Sequence, residues 1–244
     1  MASDAAFSDL SERAQRFFAA NRATYAPPPF RIDTSSSLSK SPDLREFAAH
    51  LEPINSIYSG LKFPVLGGQL AGEVRLGLHG SNNVWRARPD ILVARMAAHD
   101  TAQCAMVLAV GSRFGCSWTG EFTPLFDSIG LMLEDAAVWG GLQGWSYVAF
   151  LDAATEHVLG VLGDLSRDSS ASGDLSQWWF GEDIAVSVAP YLNPARGDNP
   201  RTTILVKSAH AVGRVRRELD GVGFGGIKLR DAALGCVPLL RNAT

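Results

Sequence analysis

Cysteine, histidine and serine are the side chains that most often carry nucleophilic or metal chemistry, and here they form no known catalytic pattern. The five histidines of the 244-residue chain stand far apart, without HExxH or CxxC spacing, so the sequence predicts no metal site. Cys116 followed by Ser117 is a candidate nucleophile, although a buried core cysteine is the commoner situation. Three scattered cysteines, Cys104, Cys116 and Cys236, make a poor disulfide framework and favour a reducing cytosol.

Phosphate and nucleotide motifs are equally sparse. The chain contains neither a GxxxxGK[ST] loop nor a GxSxG elbow, and its glycine-rich run at 221–226 does not lie between a strand and a helix. Trp178-Trp179-Phe180 could stack on a planar ligand, or pack in a core or a dimer interface. These residues alone therefore leave the chemistry open.

Charge and hydropathy narrow the classes of partner. The net charge is -3 and the pI about 5.9, which argues against a nucleic acid or an anionic membrane as partner. No apolar run reaches the roughly 18 residues that span a bilayer, and the first residues do not resemble a secretory leader. We therefore expect a cytoplasmic protein, and 46% hydrophobic residues predict a sizeable core.

Hydrophobic spacing predicts the elements that must position any site. Helices are predicted at 3–20, at 42–50 after a Ser41 cap, at 124–141, at 152–162 after an Asp152 cap, at 209–219 and at 229–240. In the long helix Glu134 and Asp135 fall off the apolar face. Residues 25–40 read as an extended arm or a linker, and 165–175 as a lid or a disordered insert.

Strands are predicted between these helices. Residues 73–78 and 91–93 form a hairpin with its turn at 79–83, and 105–110 is a strand buried on both faces. Further strands fall at 145–150, 184–188 and 203–207. Because strands and helices mix without βαβ alternation, the fold class is α+β.

Two stretches resemble the azoline dehydrogenases, which are nitroreductase-like flavoenzymes of thiazole- and oxazole-containing peptide biosynthesis. LGGQLAGEVRL at 66–76 is similar to the family's small-Gly-Gly-x-Leu-Pro-x-Glu-x-Tyr segment, and VWRARPDILV at 84–93 is similar to the hairpin pattern that follows it. From 105 to 162 a buried strand, an arginine (Arg113), a long helix, a Gly141-Leu142 turn and a short helix resemble the family's central elements.

The resemblance implies a nitroreductase-like fold, in which helices flank a central mixed or antiparallel sheet. The implied domains are an N-terminal helix and arm at 1–60 and the nitroreductase-like domain at 61–244. Gly67, Gly68, Gln69 and Gly141 would line FMN, because glycines let the backbone approach the flavin ring. Ser117 and Trp118, as catalytic candidates, would face the substrate.

Departures from the family pattern keep three functions open. Ser117-Trp118 stands where the family has Lys-Tyr, and neither side chain is a ready acid or base. No clear phosphate clamp exists, since Arg13, Arg16 and Arg45 do not reproduce its spacing. The chain is therefore an FMN-dependent oxidoreductase acting on azolines or related bonds in a ribosomal peptide, a degenerate subunit of a homodimer or heterodimer that supports a partner enzyme or binds a peptide, or an unrelated α+β interaction domain.

Overall fold

The fold comprises two compact units, Met1–Gly140 and Gly141–Thr244. The computed structural model describes residues 5–27, 42–77, 84–100, 104–118, 120–151, 155–192 and 200–222. The predicted helix at 229–240, the Ser41 and Asp152 caps and nearly all of the 25–40 arm lie outside these residues. The observed elements are α+β, with antiparallel sheets flanked by helices.

Within its described residues, the first unit contains four helices and one antiparallel sheet. The helices are α1 (Ala5–Ser8), α2 (Glu12–Asn21), α3 (Pro42–Tyr58) and α4 (Ile129–Gly141). The strands are β1 (Ala23–Thr24), β2 (Leu61–Val65), β3 (Gly72–Leu76), β4 (Val84–Arg88), β5 (Ile91–His99), β6 (Ala105–Ala109), β7 (Phe114–Trp118) and β8 (Glu121–Phe126). Their order is β1-β2-β3-β5-β6-β7-β8, with β4 paired to β5.

The long strand β5 organises this sheet. Its C-terminal half pairs with β3 and its N-terminal half with β4, so these two strands follow each other along one edge. The other edge pairs with β6, whose residues are buried as the apolar run predicted. Pairing of β1 with β2 and packing of α2 on β2 place the described residues before 60 in the first unit.

The predicted hairpin at 73–93 is observed only in part. The tight turn observed is Pro89-Asp90, which joins β4 to β5, whereas the predicted turn residues 79–83 lie outside the described residues. β3 and β5 do pair antiparallel, but β4 intervenes between them in the sequence. Proline and aspartate suit this turn because proline fixes φ and aspartate accepts local hydrogen bonds.

Three helix predictions need correction. The N-terminal helix is interrupted at Ser11, whose side chain caps α2 by accepting a hydrogen bond from the Ala14 amide. The helix predicted to end at 50 continues to Tyr58 and contains Pro53. In the long helix, residues 124–126 belong to β8, so α4 begins at Ile129.

α4 is buried on almost every side. Glu134 and Asp135, expected away from the apolar face, are only 4% and 9% exposed. The Glu134 carboxylate accepts hydrogen bonds from the Ser11 amide at 2.5 Å and from the Ser11 hydroxyl at 2.6 Å. Arg13 Nη2 lies 3.6 Å from the same carboxylate. Glu134 therefore ties the start of α2 to the middle of α4, which offsets the cost of its burial.

The described residues of the second unit form a sheet and two helices that pack on one another. Its described strands are β9 (Ser146–Leu151), β10 (Ser166–Arg167), β11 (Gln177–Phe180), β12 (Ile184–Ala189) and β13 (Arg201–Val206), in the order β10-β11-β12-β13-β9. The helices α5 (Thr155–Leu162) and α6 (Ala209–Gly221) share a core with the sheet. The predictions for β9, β12, β13 and α6 are confirmed apart from end residues.

The polar segment at 165–175 is folded along the edge of the sheet in the second unit. Asp168 accepts hydrogen bonds from the Ser170 and Ala171 amides, and Arg167 donates to the Gly173 carbonyl. β10 within it pairs with β11, and Ala171 is buried. These contacts describe a compact turn at the sheet edge rather than a lid. No helix among the described residues has the length and apolarity to cross a membrane.

Candidate functional site

The predicted flavin-lining segment, Gly67-Gly68-Gln69, connects β2 to β3 and packs on a tryptophan. A Cβ added at Gly67 would lie 2.3 Å from Trp139 Cε3, and one added at Gly68 would lie 2.8 Å from Trp139 Nε1. Gly68 also has a φ of +74°, which glycine adopts without strain. Glycine is needed here because the indole of α4 covers the backbone.

These residues do not fit FMN at that place. The flat surface beside Gly67 and Gly68 is occupied by the protein's own indole ring, and Trp139 is only 5% exposed. Of the arginines considered for the phosphate, Arg13 lies beside Glu134 and Arg16 lies 3.8 Å from Glu12. Arg45 is exposed on α3. We therefore derive no chemistry through a flavin, and FMN stays a prediction from the resemblance.

Ser117 and Trp118 do not converge on one site. They are consecutive in β7, so their side chains point to opposite faces of the sheet. Ser117 pairs with Ala105 on one side and Phe122 on the other, and it is buried at 6% exposure. A substrate could therefore meet one of the two side chains, but not both on the same face.

Gly141 is the last residue of α4 and has open space around it. No heavy atom lies within 4 Å of a Cβ added there. It stands two residues beyond Trp139 in the helix, and it is exposed. The structure thus gives Gly67 and Gly68 a packing reason to be glycine, and gives Gly141 none.

One cleft in the first unit has the shape of a ligand site, and the sequence did not predict it. It lies between α3, the β4–β5 hairpin and the β6–β7 turn, and its volume is about 310 Å³. That volume is at the lower end for small-molecule or side-chain pockets. Phe47, Leu92 and Val110 give it an apolar floor. Val110 is 54% exposed, whereas Phe47 and Leu92 are each 3% exposed, so Val110 presents most of the accessible apolar surface of the floor.

Carboxylates dominate the rim of this cleft. Asp43 and Glu46 extend from α3, and Asp90 from the hairpin turn. Arg86 offsets part of this charge, since its Nη2 donates to Asp43 at 2.8 Å and its Nη1 to the Pro89 carbonyl at 2.9 Å. Three carboxylates face one guanidinium, so the cleft is acidic around an apolar floor.

The β6–β7 turn in the cleft wall is held in an uncommon backbone conformation. Ser112 has a φ of +66°, a left-handed value that side-chain-bearing residues rarely adopt. Its hydroxyl lies 3.1 Å from His50 Nε2 of α3. Such strain persists only where neighbouring contacts fix it, and it is concentrated at functional loops. Here it presents Val110 and Gly111 to the cleft.

No sequence signal marked this cleft because its residues come from three separate segments. Asp43, Glu46 and His50 follow helical spacing on α3 and read as an ordinary solvated face. Pairing of β4 with β5, together with the packing of α3 on β5, brings the segments together. Among the described residues, no group of three or more His, Cys, Asp and Glu side chains is arranged to hold a metal ion.

Fold and cleft together define the class: an α+β protein with antiparallel sheets, flanking helices and an acidic surface cleft. No protein-family model, no curated protein and no solved structure matches this chain.

Proposed function

We propose that the chain is a binding protein that holds a basic peptide segment in the acidic cleft between α3 and the β4–β5 hairpin. This corresponds to the peptide-binding alternative among the functions inferred from the sequence. The observation that carries it is the combination of an acidic rim and an apolar floor in one concave surface.

The chemistry of the cleft specifies the peptide. Glu46 and Asp90 are exposed carboxylates, and a lysine or arginine side chain meeting them would make charge-assisted hydrogen bonds. An aliphatic or aromatic side chain of the peptide would cover Val110, which is 54% exposed, and this removes apolar surface from water. The occupant is therefore a segment in which basic and apolar residues alternate.

The flavoenzyme alternative has less support in the described residues. The glycine segment expected beside a flavin carries Trp139 instead, and the two proposed catalytic side chains point to opposite faces of β7. A nitroreductase-type fold, an FMN cofactor and a dimer built around it remain predictions from the resemblance. The peptide proposal requires none of them.

The proposal is tested by fluorescence anisotropy with two labelled twelve-residue peptides, one alternating Lys with Leu and the other Glu with Leu. The Lys-Leu peptide should bind saturably and the Glu-Leu peptide should not. The double variant Glu46→Gln/Asp90→Asn should weaken binding about two- to thirtyfold, since each partly exposed ion pair contributes about 0.2–1 kcal/mol. Val110→Ser should weaken it through the apolar floor.

A matched control is Glu12→Gln/Glu156→Gln, which removes two exposed carboxylates on α2 and α5 and changes the net charge equally. Equal weakening by both double variants would show attraction to overall charge and overturn the cleft proposal. A parallel titration with FMN, followed by visible absorption and flavin fluorescence, tests the enzyme alternative. Saturable flavin binding would support that alternative, whether or not the peptide binds.

A further inference from the structure

Two of the three cysteines, which looked scattered in the sequence, are neighbours across β6 and β7. Met106 pairs with Cys116 and Ala105 with Ser117. Cys104 immediately precedes β6 and shares the parity of Met106, so Cys104 and Cys116 lie diagonally on the same face of the sheet. Diagonal neighbours lie about 7–8 Å apart, so two side chains as short as cysteine meet only where both turn toward each other. A hydrogen bond joins the two thiols.

The two sulfurs have unequal surroundings. Cys104 is 9% exposed and Cys116 is fully buried. The hydrogen bond from the Cys116 thiol lowers the pKa of Cys104, although burial opposes this. The same bond, together with burial, raises the pKa of Cys116, and the nearby Trp118 side chain only partly offsets it. Cys104 is thus the thiol that ionises first, and Cys116 is the one that retains its proton.

We propose that Cys104 and Cys116 form a reversible intramolecular disulfide when the protein meets a peroxide. The Cys104 thiolate attacks one peroxide oxygen, which breaks the O–O bond and gives a sulfenic acid and, after protonation, water. The Cys116 thiol then attacks Cys104 Sγ and gives its proton to the departing hydroxyl, so that the S–S bond forms and a second water leaves. Two thiols and one hydrogen peroxide are converted into one disulfide and two waters.

This proposal is independent of the peptide cleft, because it concerns the β6–β7 pair and not its turn. A diagonal pair departs from the most favourable disulfide geometry, and strained disulfides are easily reduced. The bond is therefore suited to a reversible response rather than to permanent stabilisation. Dithiothreitol should restore both thiols.

The test uses the full chain with Cys236→Ser, which leaves the two β-sheet cysteines as the sole thiols. The reduced protein is treated with hydrogen peroxide, blocked with N-ethylmaleimide, digested without reduction and analysed by mass spectrometry. We expect a Cys104–Cys116 linked peptide from the monomer, lighter than the two free peptides by two hydrogens. Two alkylated thiols after oxidation, or only intermolecular disulfides, would overturn the proposal.

Single replacements assign the order of attack. Adding Cys116→Ser should stop the reaction at a Cys104 sulfenic acid that dimedone traps, whereas adding Cys104→Ser should slow peroxide consumption at least tenfold. Equal rates in the two variants would contradict the assignment of Cys104 as the attacking thiol. If either variant fails to fold, the linked peptide from the Cys236→Ser protein still decides whether the disulfide forms.

Discussion

At the scale of single residues, a close contact explains a pattern that the sequence assigned to a cofactor. Gly67 and Gly68 were interpreted as flavin-lining because a ring needs a bare backbone beside it. The ring found there belongs to Trp139. A glycine pair reports that something flat lies close, but the sequence could not tell whether that is a ligand or a distant side chain of the same chain.

The contact with Trp139 predicts a clear loss of stability when Gly67 is replaced and little change in stability when Gly141 is replaced. Gly67→Ala should lower the free energy of unfolding by about 1–3 kcal/mol, the usual cost of overpacking, because its Cβ would meet Trp139 Cε3 at 2.3 Å. Gly141→Ala, with open space around it, should change it by less than about 1 kcal/mol. Urea unfolding of the flavin-free protein measures both. If Gly67 served only to line a flavin, its replacement would leave this stability unchanged.

A double variant tests whether Trp139 is the residue with which a methyl group at position 67 would clash. Replacing Trp139 with Leu removes the ring atoms that the new methyl would meet, so Gly67→Ala/Trp139→Leu should lose less stability than the sum of the single variants. Strict additivity of the two losses would show that Gly67 and Trp139 are not coupled.

Glu134 is a second residue whose role appears only in three dimensions. Its helical position placed it off the apolar face, yet it is 4% exposed and receives two hydrogen bonds from Ser11. Helical periodicity orders residues around one helix, but it does not reveal that a polar helix terminus 123 residues earlier will dock there.

We expect Glu134→Ala to lower the free energy of unfolding by about 2–4 kcal/mol, because it leaves the Ser11 amide and hydroxyl without their acceptor in a buried place. Glu12→Ala is the control: its ion pair with Arg16 is exposed, and its loss should cost less than about 0.5 kcal/mol. Urea titration of both variants provides the comparison. Similar losses of unfolding free energy in the two variants would mean that burial of Glu134 adds nothing to stability.

At the scale of elements, the sequence predicted most of the apolar segments well, but it did not predict which segments pair with one another. β6, β12 and β13 were found because their apolar content is dense, and α6 because Ala211, Val215 and Leu219 recur at helical spacing. The prediction of a single hairpin missed β4, because only pairing along the whole length of β5 shows that β3 and β4 both lie beside it. α3 continues past His50 because a proline is tolerated once packing holds the helix.

At the start of α6, the surroundings of Ser208 predict an unusual ranking of helix-capping residues. Ser208 caps the helix by accepting from the Ala211 amide, and its hydroxyl donates to Asp183 at 3.2 Å. Ser208→Thr should retain the cap, and Ser208→Ala should lose about 1 kcal/mol. Ser208→Asp, ordinarily a good cap, should perform no better than alanine, because its carboxylate would face that of Asp183.

Hydrogen exchange of the first-turn amides of α6, followed by mass spectrometry, measures this order. The distinctive outcome is the aspartate variant. If Ser208→Asp protects α6 as well as serine does, the Asp183 carboxylate does not oppose a second charge at that position, and Arg214, which donates to Asp183 at 2.9 Å, neutralises the pair.

At the scale of the whole molecule, composition indicated a large core but not that it is divided. The chain divides once, at Gly140–Gly141, into two units, and each unit has its own sheet and its own buried cluster. Nothing in the sequence marks this boundary, since a helix end followed by a strand is typical of the interior of a domain as well. The hydrophobic pattern of the sequence therefore could not predict the number of units.

Separate cores predict that a core defect stays within its own unit. Leu108 in β6 and Ile204 in β13 are both fully buried, and truncation of either to alanine should cost about 2–5 kcal/mol through lost contacts and a residual cavity. Hydrogen exchange should show Leu108→Ala loosening β5 and β6 while β12 and β13 keep their protection, and Ile204→Ala doing the reverse. Because local opening follows cooperative units, this pattern would establish two of them. Equal loss of protection in both sheets from either variant would instead show that the chain unfolds as one unit, and the division at Gly140–Gly141 would then be a feature of geometry without an energetic counterpart.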